Sequence, residues 1–230
     1  MSTKVILVSH NHFLNSALKK IITDEMQLAC ALWGPQRLQS LQDMDLDHRQ
    51  ASNVLLMVDY AGFDLDDVSN SIWLYLKEGS YPTRIAALFN VPRDTGIENQ
   101  FLDLGVRGIF YDDYELDLFR KGVYILLDGD LWFSRDVLCQ YIQKQPLKKP
   151  EDPPINSKDL YQLTPREEEI LIMVSLGKSN AQIAEELFIS PSTVKTHIYN
   201  IFQKIKVPNR IQAALWTAKH LSRKEELRSR

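Results

Sequence analysis

Three polar side chains of one predicted helix have the chemistry to contact DNA bases. Residues 191–205 carry apolar side chains at helical spacing, which predict a buried face: Val194, Ile198, Ile201 and Ile205. The outward face then carries Lys195, Thr196, Tyr199 and Asn200. The cation, hydroxyl and phenol of Lys195, Thr196 and Tyr199 fit the edges of base pairs in a major groove. Flanking side chains could contact phosphates: Ser192, Thr193, His197 and Lys204. The alternative is a solvated helix face.

Helix-start signals favour the DNA-binding interpretation. Four of them follow one another: Thr164 with Glu167, Ser179 with Gln182, Ser190 with Pro191, and Asn209 with Gln212. The turn at 188–190 separates the second helix from the third by the spacing of a helix-turn-helix. A polar face on the third of four capped helices is typical of a DNA-binding domain.

Residues 163–221 resemble the DNA-binding domain of LuxR/NarL-type (FixJ-like) bacterial transcription factors. The resemblance is carried by LTPRE at 163–167, IAEELFIS at 183–190 and TVKTHIYNIFQKI at 193–205. It implies an all-α, four-helix domain whose third helix reads promoter DNA and whose fourth helix pairs two subunits. By position, the same three side chains, Lys195, Thr196 and Tyr199, would touch bases.

The two parts of the chain differ in charge. Residues 158–230 hold 12 Lys and Arg against 8 Asp and Glu, a net of +4. Residues 1–157 hold the other 15 against 22, a net of −7. A basic module beside an acidic one suits a DNA-binding domain joined to a domain with another partner. Since the positive excess is modest, we expect DNA binding to need a homodimer.

Cysteine content and hydropathy predict a cytoplasmic protein. Cys30 and Cys139 are too few for a metal or disulfide framework, and we expect buried thiols in a reducing compartment. No apolar stretch reaches the length of about 18 residues that marks a membrane span. The N-terminus has no signal-peptide layout. We therefore expect no membrane contact.

The first 127 residues predict a doubly wound, flavodoxin-like α/β domain. Five apolar runs of strand length alternate with amphipathic helices: 4–9, 28–33, 53–60, 84–90 and 108–111. Strands that are apolar throughout indicate a parallel sheet covered on both faces. An added sixth helix from Arg135 extends the predicted domain to residues 1–145. A proline-rich linker (146–162), the helical domain (163–221) and a charged tail (222–230) follow.

This first domain resembles a response-regulator receiver that has lost its phosphorylation chemistry. Asp59 matches the phosphate-accepting carboxylate. The other functional positions carry unsuitable residues: Ser9, His10, Asn11, His12, Asn90, Tyr111 and Asp112. Magnesium prefers oxygen ligands, and phosphoryl transfer depends on such charge stabilisation. We therefore predict a vestigial phosphoacceptor, and no enzyme, catalytic residue, metal or cofactor. The alternative is a response regulator activated by phosphorylation of Asp59.

The letters His10, Asn11 and His12 spell the name of a nuclease family. Three adjacent residues after a strand do not make the metal site of that family, although a chance metal pair is conceivable. Two loop histidines are the preferred interpretation.

Residues 132–135 combine two aromatics, a hydroxyl and a guanidinium at a helix start. Backbone N–H groups there favour an anion, and an arginine can stack on a base or fork onto phosphate or guanine. This chemistry suits a ligand made of phosphates and purines. The alternative is that Trp132 and Phe133 lie in a core and Arg135 on the surface.

The helix that follows carries an apolar stripe: Val137, Leu138, Tyr141 and Ile142. Periodicity allows two interpretations equally, since the stripe could lie on its own domain or pair with a second copy.

WFSR at 132–135 resembles a motif of the VpsT/CpsQ/CsgD-type biofilm regulators, whose layout of degenerate receiver, sixth helix and LuxR-type domain covers the whole chain. The resemblance implies a cyclic di-GMP-responsive regulator of biofilm matrix or exopolysaccharide genes. It places Arg135 on guanine, Ser134 on phosphate, and Trp132 and Phe133 around the pocket. It also places the sixth helices of two receivers in a dimer interface that an intercalated ligand pair stabilises. A DNA-binding protein that ignores ligands is a further alternative.

Overall fold

The computed structural model describes residues 2–38, 51–77, 83–144, 163–207 and 209–218. The chain divides into two compact units, 1–134 and 135–230, so the helix beginning at Arg135 is grouped with the second unit. The predicted domain boundary at 145 stays a prediction. The predicted linker and charged tail lie outside the described residues.

Five parallel strands form the sheet of the first unit. They are β1 (Ser2–Val8), β2 (Ala29–Trp33), β3 (Ala51–Asp59), β4 (Thr83–Val91) and β5 (Gly108–Tyr111). Their order across the sheet is β2-β1-β3-β4-β5. This is the flavodoxin-like order, so the predicted fold class is confirmed for this unit.

Four helices belong to the described part of the first unit: α1 (His12–Lys20), α2 (Leu65–Lys77), α3 (Glu98–Leu104) and α4 (Leu116–Leu127). A π-helical turn, Ile21–Glu25, continues α1, and a 3₁₀ turn, Pro35–Leu38, follows β2. Gly105 ends α3 with a φ of 92°, a left-handed conformation that favours glycine.

Alternate residues of the strands enter two separate cores. Ile6 and Val8 of β1 pack on one side of the sheet with side chains of α2 and α3. Val5 and Leu7 pack on the other side with side chains of α1 and α4. The uninterrupted apolar runs therefore reflect strands that are buried on both faces.

The described helices of the second unit are α5 (Arg135–Lys144), α6 (Pro165–Ser175), α7 (Asn180–Glu186), α8 (Pro191–Ile205) and α9 (210–218). Apolar side chains of α6 to α9 form one core. The Asn209 side chain caps α9, since its Oδ1 accepts from the Gln212 backbone N–H at 3.0 Å. The predicted fourth helix is therefore confirmed to residue 218, and its last residues lie outside the described part.

The two cysteines differ in exposure. Cys30 is half-buried, and burial raises the pKa of its thiol to about 11. Cys139 lies exposed on α5, so the expectation of a buried thiol was wrong there. The reason is that Cys139 falls on the outer side of an amphipathic helix. Among the described helices, none has the length and apolarity required to cross a bilayer.

Candidate nucleic-acid interface and ligand segment

One buried carboxylate joins the first and third helices of the four-helix group. The Glu167 side chain accepts from the Thr164 backbone N–H at 2.7 Å, and the Thr164 hydroxyl accepts from the Glu167 N–H at 3.3 Å. These two bonds complete the predicted capping box of α6. Lys204 near the end of α8 donates to both carboxylate oxygens, at 2.8 and 2.7 Å. Glu167 is only 4% exposed, so this contact fixes α8 against the start of α6.

The pKa of Glu167 follows from these contacts. Burial raises it, while the hydrogen bonds from Lys204 and Thr164 lower it by more, so the net shift is downward. A carboxylate with a depressed pKa stabilises the fold above its unfolded pKa, and this stabilisation is lost as pH falls through the folded pKa.

The turn between α7 and α8 sets the start of α8. Phe188 takes a left-handed φ of 53° and leaves its ring 95% exposed. The Ser190 side chain then caps α8, accepting from the Thr193 N–H at 3.1 Å, and Pro191 occupies the first turn. The predicted helix-turn-helix is therefore present.

One side of α8 is buried as predicted, through Val194, Ile198, Ile201 and Ile205, with Phe202 in addition. The opposite side presents four exposed polar side chains: Thr193, Thr196, Asn200 and Gln203. Of the three predicted base-contacting residues, Thr196 is exposed, whereas Lys195 and Tyr199 are half-buried. The Tyr199 hydroxyl is enclosed within the protein, so a base contact by this group would require the side chain to move.

The predicted phosphate-contacting residues separate into two groups. Ser192 and Thr193 lie beside the cap of α8, where the Ser190 Oγ is 2.7 Å from the Ser192 Oγ and 2.8 Å from the Thr193 Oγ1. His197 is half-buried on the flank of the helix. Lys204 is engaged by Glu167, so its charge already has a partner. Its role toward phosphate stays a prediction.

Neutral groups surround the predicted vestigial phosphoacceptor at the end of β3. Asp59 is 1% exposed, and the Ser9 hydroxyl donates to its Oδ2 at 2.5 Å. Its Oδ1 accepts from the Asn90 side chain at 3.0 Å and from the Ala61 N–H at 2.9 Å. Tyr111, at the end of β5, donates to Glu98 at 3.0 Å. A hydroxyl and two N–H groups therefore satisfy this buried carboxylate.

The two histidines after β1 have different surroundings. His10 is exposed and its ring packs on Phe63 at 4.5 Å, while His12 begins α1. Within the described ranges, no group of three or more histidine, cysteine or acidic side chains could hold a metal.

The first two residues of the candidate ligand segment, 132–135, pack against the first unit. The Trp132 backbone N–H donates to the Arg107 carbonyl at 2.8 Å, and its carbonyl accepts from the Ile109 N–H at 3.0 Å. The indole stacks on Phe110 with centroids 6.2 Å apart. Gly122 on α4 provides the space, since a Cβ there would be 2.7 Å from the indole. Trp132 and Phe133 both pack on cores of the first unit, which makes them anchors of the segment.

The last residues of the segment are more accessible. Ser134 is half-buried, and Arg135 begins α5 with an exposed side chain. Of the apolar stripe on α5, Val137 and Leu138 are half-buried and Ile142 is 45% exposed.

Tyr141, the remaining residue of that stripe, lies inside the second unit. It is 2% exposed, and its hydroxyl accepts from the Gln212 side chain of α9 at 2.6 Å. It is available to a second copy only if this hydrogen bond breaks. The sequence predicted Gln212 only as a capping residue. Its contact with Tyr141 was missed, because periodicity does not indicate which residues meet across 71 positions.

A comparison with known families decides what α6 to α9 are. Residues 161–217 match the family described as "Bacterial regulatory proteins, luxR family". Residues 161–217 are a luxR-family domain. The predicted resemblance of this segment is thereby confirmed.

Two relatives that are named as transcriptional regulatory proteins match more of the chain than residues 161–217. The "Probable csgAB operon transcriptional regulatory protein" of Salmonella typhimurium is 39% identical over 118 residues, 51% of this chain and 52% of that protein. The "CsgBAC operon transcriptional regulatory protein" of Escherichia coli is 37% identical over 139 residues, 59% of this chain and 61% of that protein. The chain thus spans about half to three fifths of these two relatives.

A third relative matches nearly end to end. The "Nitrate/nitrite response regulator protein NarL" of Escherichia coli is 26% identical over 218 residues, 92% of this chain and 93% of that protein. The predicted likeness to CsgD-type and NarL-type regulators is confirmed by these three proteins.

Glu167→Gln should loosen α6 and α8 of the luxR-family domain, because Lys204 loses its anionic partner while the cap remains. We expect a loss of about 1–3 kcal/mol in the opening free energy of these helices. Native-state hydrogen exchange of the full chain measures it. The difference from wild type should begin to shrink as pH falls below about 4.3, the ordinary pKa of a glutamate, and should vanish only below the lower folded pKa of Glu167.

Glu169→Gln is the matched control for that change. Glu169 lies on the same helix in a solvent-exposed ion pair with Arg166, at 2.8 Å. Its loss should change the opening free energy by less than about 0.5 kcal/mol. Equal effects of the two substitutions would show that the buried pair has no special role.

Asp59→Asn should leave DNA affinity unchanged, because we predict that Asp59 does not accept phosphate and is a structural group held by neutral donors. The stability loss should be about 1 kcal/mol, since the Ser9 hydroxyl can reverse and accept. Thermal unfolding and a DNA titration, with and without acetyl phosphate and magnesium, test this. Asp64→Asn, at an exposed carboxylate before α2, is the control. Tighter DNA binding by wild type on acetyl phosphate would support the phosphorylation alternative.

Proposed function

We propose that this chain is a cytoplasmic transcriptional regulator that binds promoter DNA as a homodimer and responds to cyclic di-GMP. Its targets would be genes for biofilm matrix or exopolysaccharide. The observation that carries the DNA-binding part is the exposed polar side of α8 within a luxR-family domain. The relatives named for csg operons support the regulatory role.

Arg135 is the residue on which the ligand part of the proposal rests. Its exposed side chain stands at the start of α5, where backbone N–H groups favour an anion. A guanidinium can also fork onto the acceptors of guanine. Asp136 in the same turn carries a negative charge that opposes an anion at this helix start. In the proposal, Ser134 contacts a phosphate and Arg135 contacts guanine. Trp132 and Phe133, which precede these two residues in the chain, pack against the cores of the first unit.

The charge of the ligand explains why a dimer would form. Cyclic di-GMP carries two phosphates and two guanines, and an intercalated pair brings about four negative charges close together. Two chains supply two copies of Arg135. Ligand binding then favours the dimer by mass action, and the dimer places two recognition helices on half-sites about one duplex turn apart.

Ile142 is the residue best suited to the contact between two copies. It is the exposed member of the apolar stripe, at 45%, whereas Val137 and Leu138 are half-buried. Tyr141 is engaged by Gln212 within its own chain. The dimer contact would therefore bury Ile142 first.

A titration with cyclic di-GMP separates this proposal from its alternatives. Light scattering reports the mass, and the affinity for promoter DNA is measured on the same samples. A dimer and tighter DNA binding with ligand support the proposal. A response to acetyl phosphate alone would favour phosphorylation of Asp59, and DNA binding that ignores both would leave a ligand-independent DNA-binding protein.

Arg135→Ala should abolish cyclic di-GMP binding in calorimetry, because it removes the guanidinium that contacts guanine. Arg135→Lys keeps the charge without the planar fork and should bind at least about tenfold more weakly than wild type. Arg37→Ala is the control, since Arg37 is an exposed arginine packed over the Trp33 ring. Circular dichroism should be unchanged in all three variants. Wild-type affinity in Arg135→Ala would remove Arg135 from the site.

Ile142→Glu should prevent dimerisation on cyclic di-GMP, because the interface would bury an unpaired charge. We expect a monomer in light scattering at ligand concentrations that dimerise wild type, and weaker DNA binding. Ile172→Glu is the control, as Ile172 is a similarly exposed isoleucine on α6, at 39%. Normal dimerisation of Ile142→Glu would place the contact elsewhere.

A further inference from the structure

Of the three side chains of α8 that the sequence pattern favours for base contacts, Thr196 is exposed and the other two are half-buried. Thr193, Thr196, Asn200 and Gln203 are exposed, whereas Lys195 and Tyr199 are half-buried. The Tyr199 hydroxyl is enclosed. The third turn of the helix therefore presents an amide, and not a phenol, to an approaching surface.

The direction of Asn200 follows from the buried side of α8. Val194, Ile198 and Ile205 lie close to one line along the helix and pack into the domain core. With about 100° per residue, Thr196 lies almost opposite that line and Asn200 about 40° from Thr196. Asn200 is thus nearer the centre of the outward side than Lys195 is.

We infer that Asn200 recognises an adenine in the major groove. The asparagine amide offers one acceptor and two donors, and it pairs in two hydrogen bonds with adenine: its oxygen accepts from N6 and its nitrogen donates to N7. Thr196, one turn earlier, lies about 6 Å away along the helix axis. This distance spans about two base-pair steps of 3.4 Å each, so both side chains can address one half-site.

Gln203 has the same chemistry but a less favourable place. It lies in the last turn of α8, next to Lys206, which ends the helix in a left-handed conformation with a φ of 55°. Recognition helices contact bases through their N-terminal part. Asn200 lies closer to that part, and Gln203 therefore provides a matched comparison.

This inference rests on the DNA-binding part of the proposed function and is independent of the cyclic dinucleotide. The test begins with the full chain, with cyclic di-GMP supplied, and a DNA site selected from a random library by the wild type. Each adenine of that site is then replaced by 7-deazaadenine, which lacks the N7 acceptor. DNA affinity is measured for wild type, Asn200→Ala and Gln203→Ala.

Wild type should lose roughly 5- to 100-fold in affinity at one adenine in each half-site. Asn200→Ala should bind the unmodified site with a similar loss and should no longer respond to that replacement. Gln203→Ala should respond as wild type does. The same response in Asn200→Ala as in wild type, or loss of the response in Gln203→Ala alone, would overturn the inference. Failure of wild type to select any site would instead overturn the proposed DNA binding and the inference with it.

Discussion

The ion pair between Glu167 and Lys204 is the contact on which the position of α8 against α6 depends. A buried carboxylate is costly unless its oxygens are satisfied. Glu167 meets this requirement with the Thr164 backbone N–H and the Lys204 ammonium, which belong to two different helices. The side chain that starts α6 therefore also fixes the end of α8. The orientation of the polar side of α8 is a consequence of this contact together with the apolar core beneath it.

A second buried carboxylate, Asp59, is held in the first unit by a different kind of contact. Its hydrogen-bond donors are the Ser9 hydroxyl, the Asn90 amide and the Ala61 backbone N–H. A receiver that accepts phosphate surrounds the matching carboxylate with groups that bind a metal and compensate charge. Neutral donors satisfy the carboxylate oxygens through hydrogen bonds but bring no positive charge to offset the negative one. The first unit thus has a flavodoxin-like strand order with neutral donors around Asp59, and the loss of phosphorylation chemistry stays a prediction.

The sequence predicted those features that depend on local chemistry or on periodicity. The caps at Thr164, Ser179 and Ser190 are all formed, because capping needs only residues three or fewer positions apart. The parallel, doubly wound sheet followed from five apolar runs alternating with helices. Contacts between distant residues could not be predicted in this way. Lys204 reaches Glu167 across 37 residues, and Gln212 reaches Tyr141 across 71.

The candidate site was predicted less completely for a related reason. A helical repeat gives the direction in which Cα–Cβ bonds point, but a long side chain can bend away from it. The Tyr199 hydroxyl is enclosed although its backbone lies on the polar side of α8. In segment 132–135, the residue types indicated both a core and a ligand site. The structure packs the two half-buried aromatics against cores of the first unit and leaves Arg135 exposed.

The packing of Trp132 depends on the absence of a Cβ at position 122. A Cβ on Gly122 would lie 2.4 Å from the Phe110 ring and 2.7 Å from the Trp132 indole. Any larger residue would force the Phe110 ring or the Trp132 indole to move, and the Trp132 backbone is hydrogen-bonded beside β5. A substitution at position 122, ten residues before Trp132 in the chain, would therefore disturb the packing of Trp132 while residues 132–135 themselves stay unchanged.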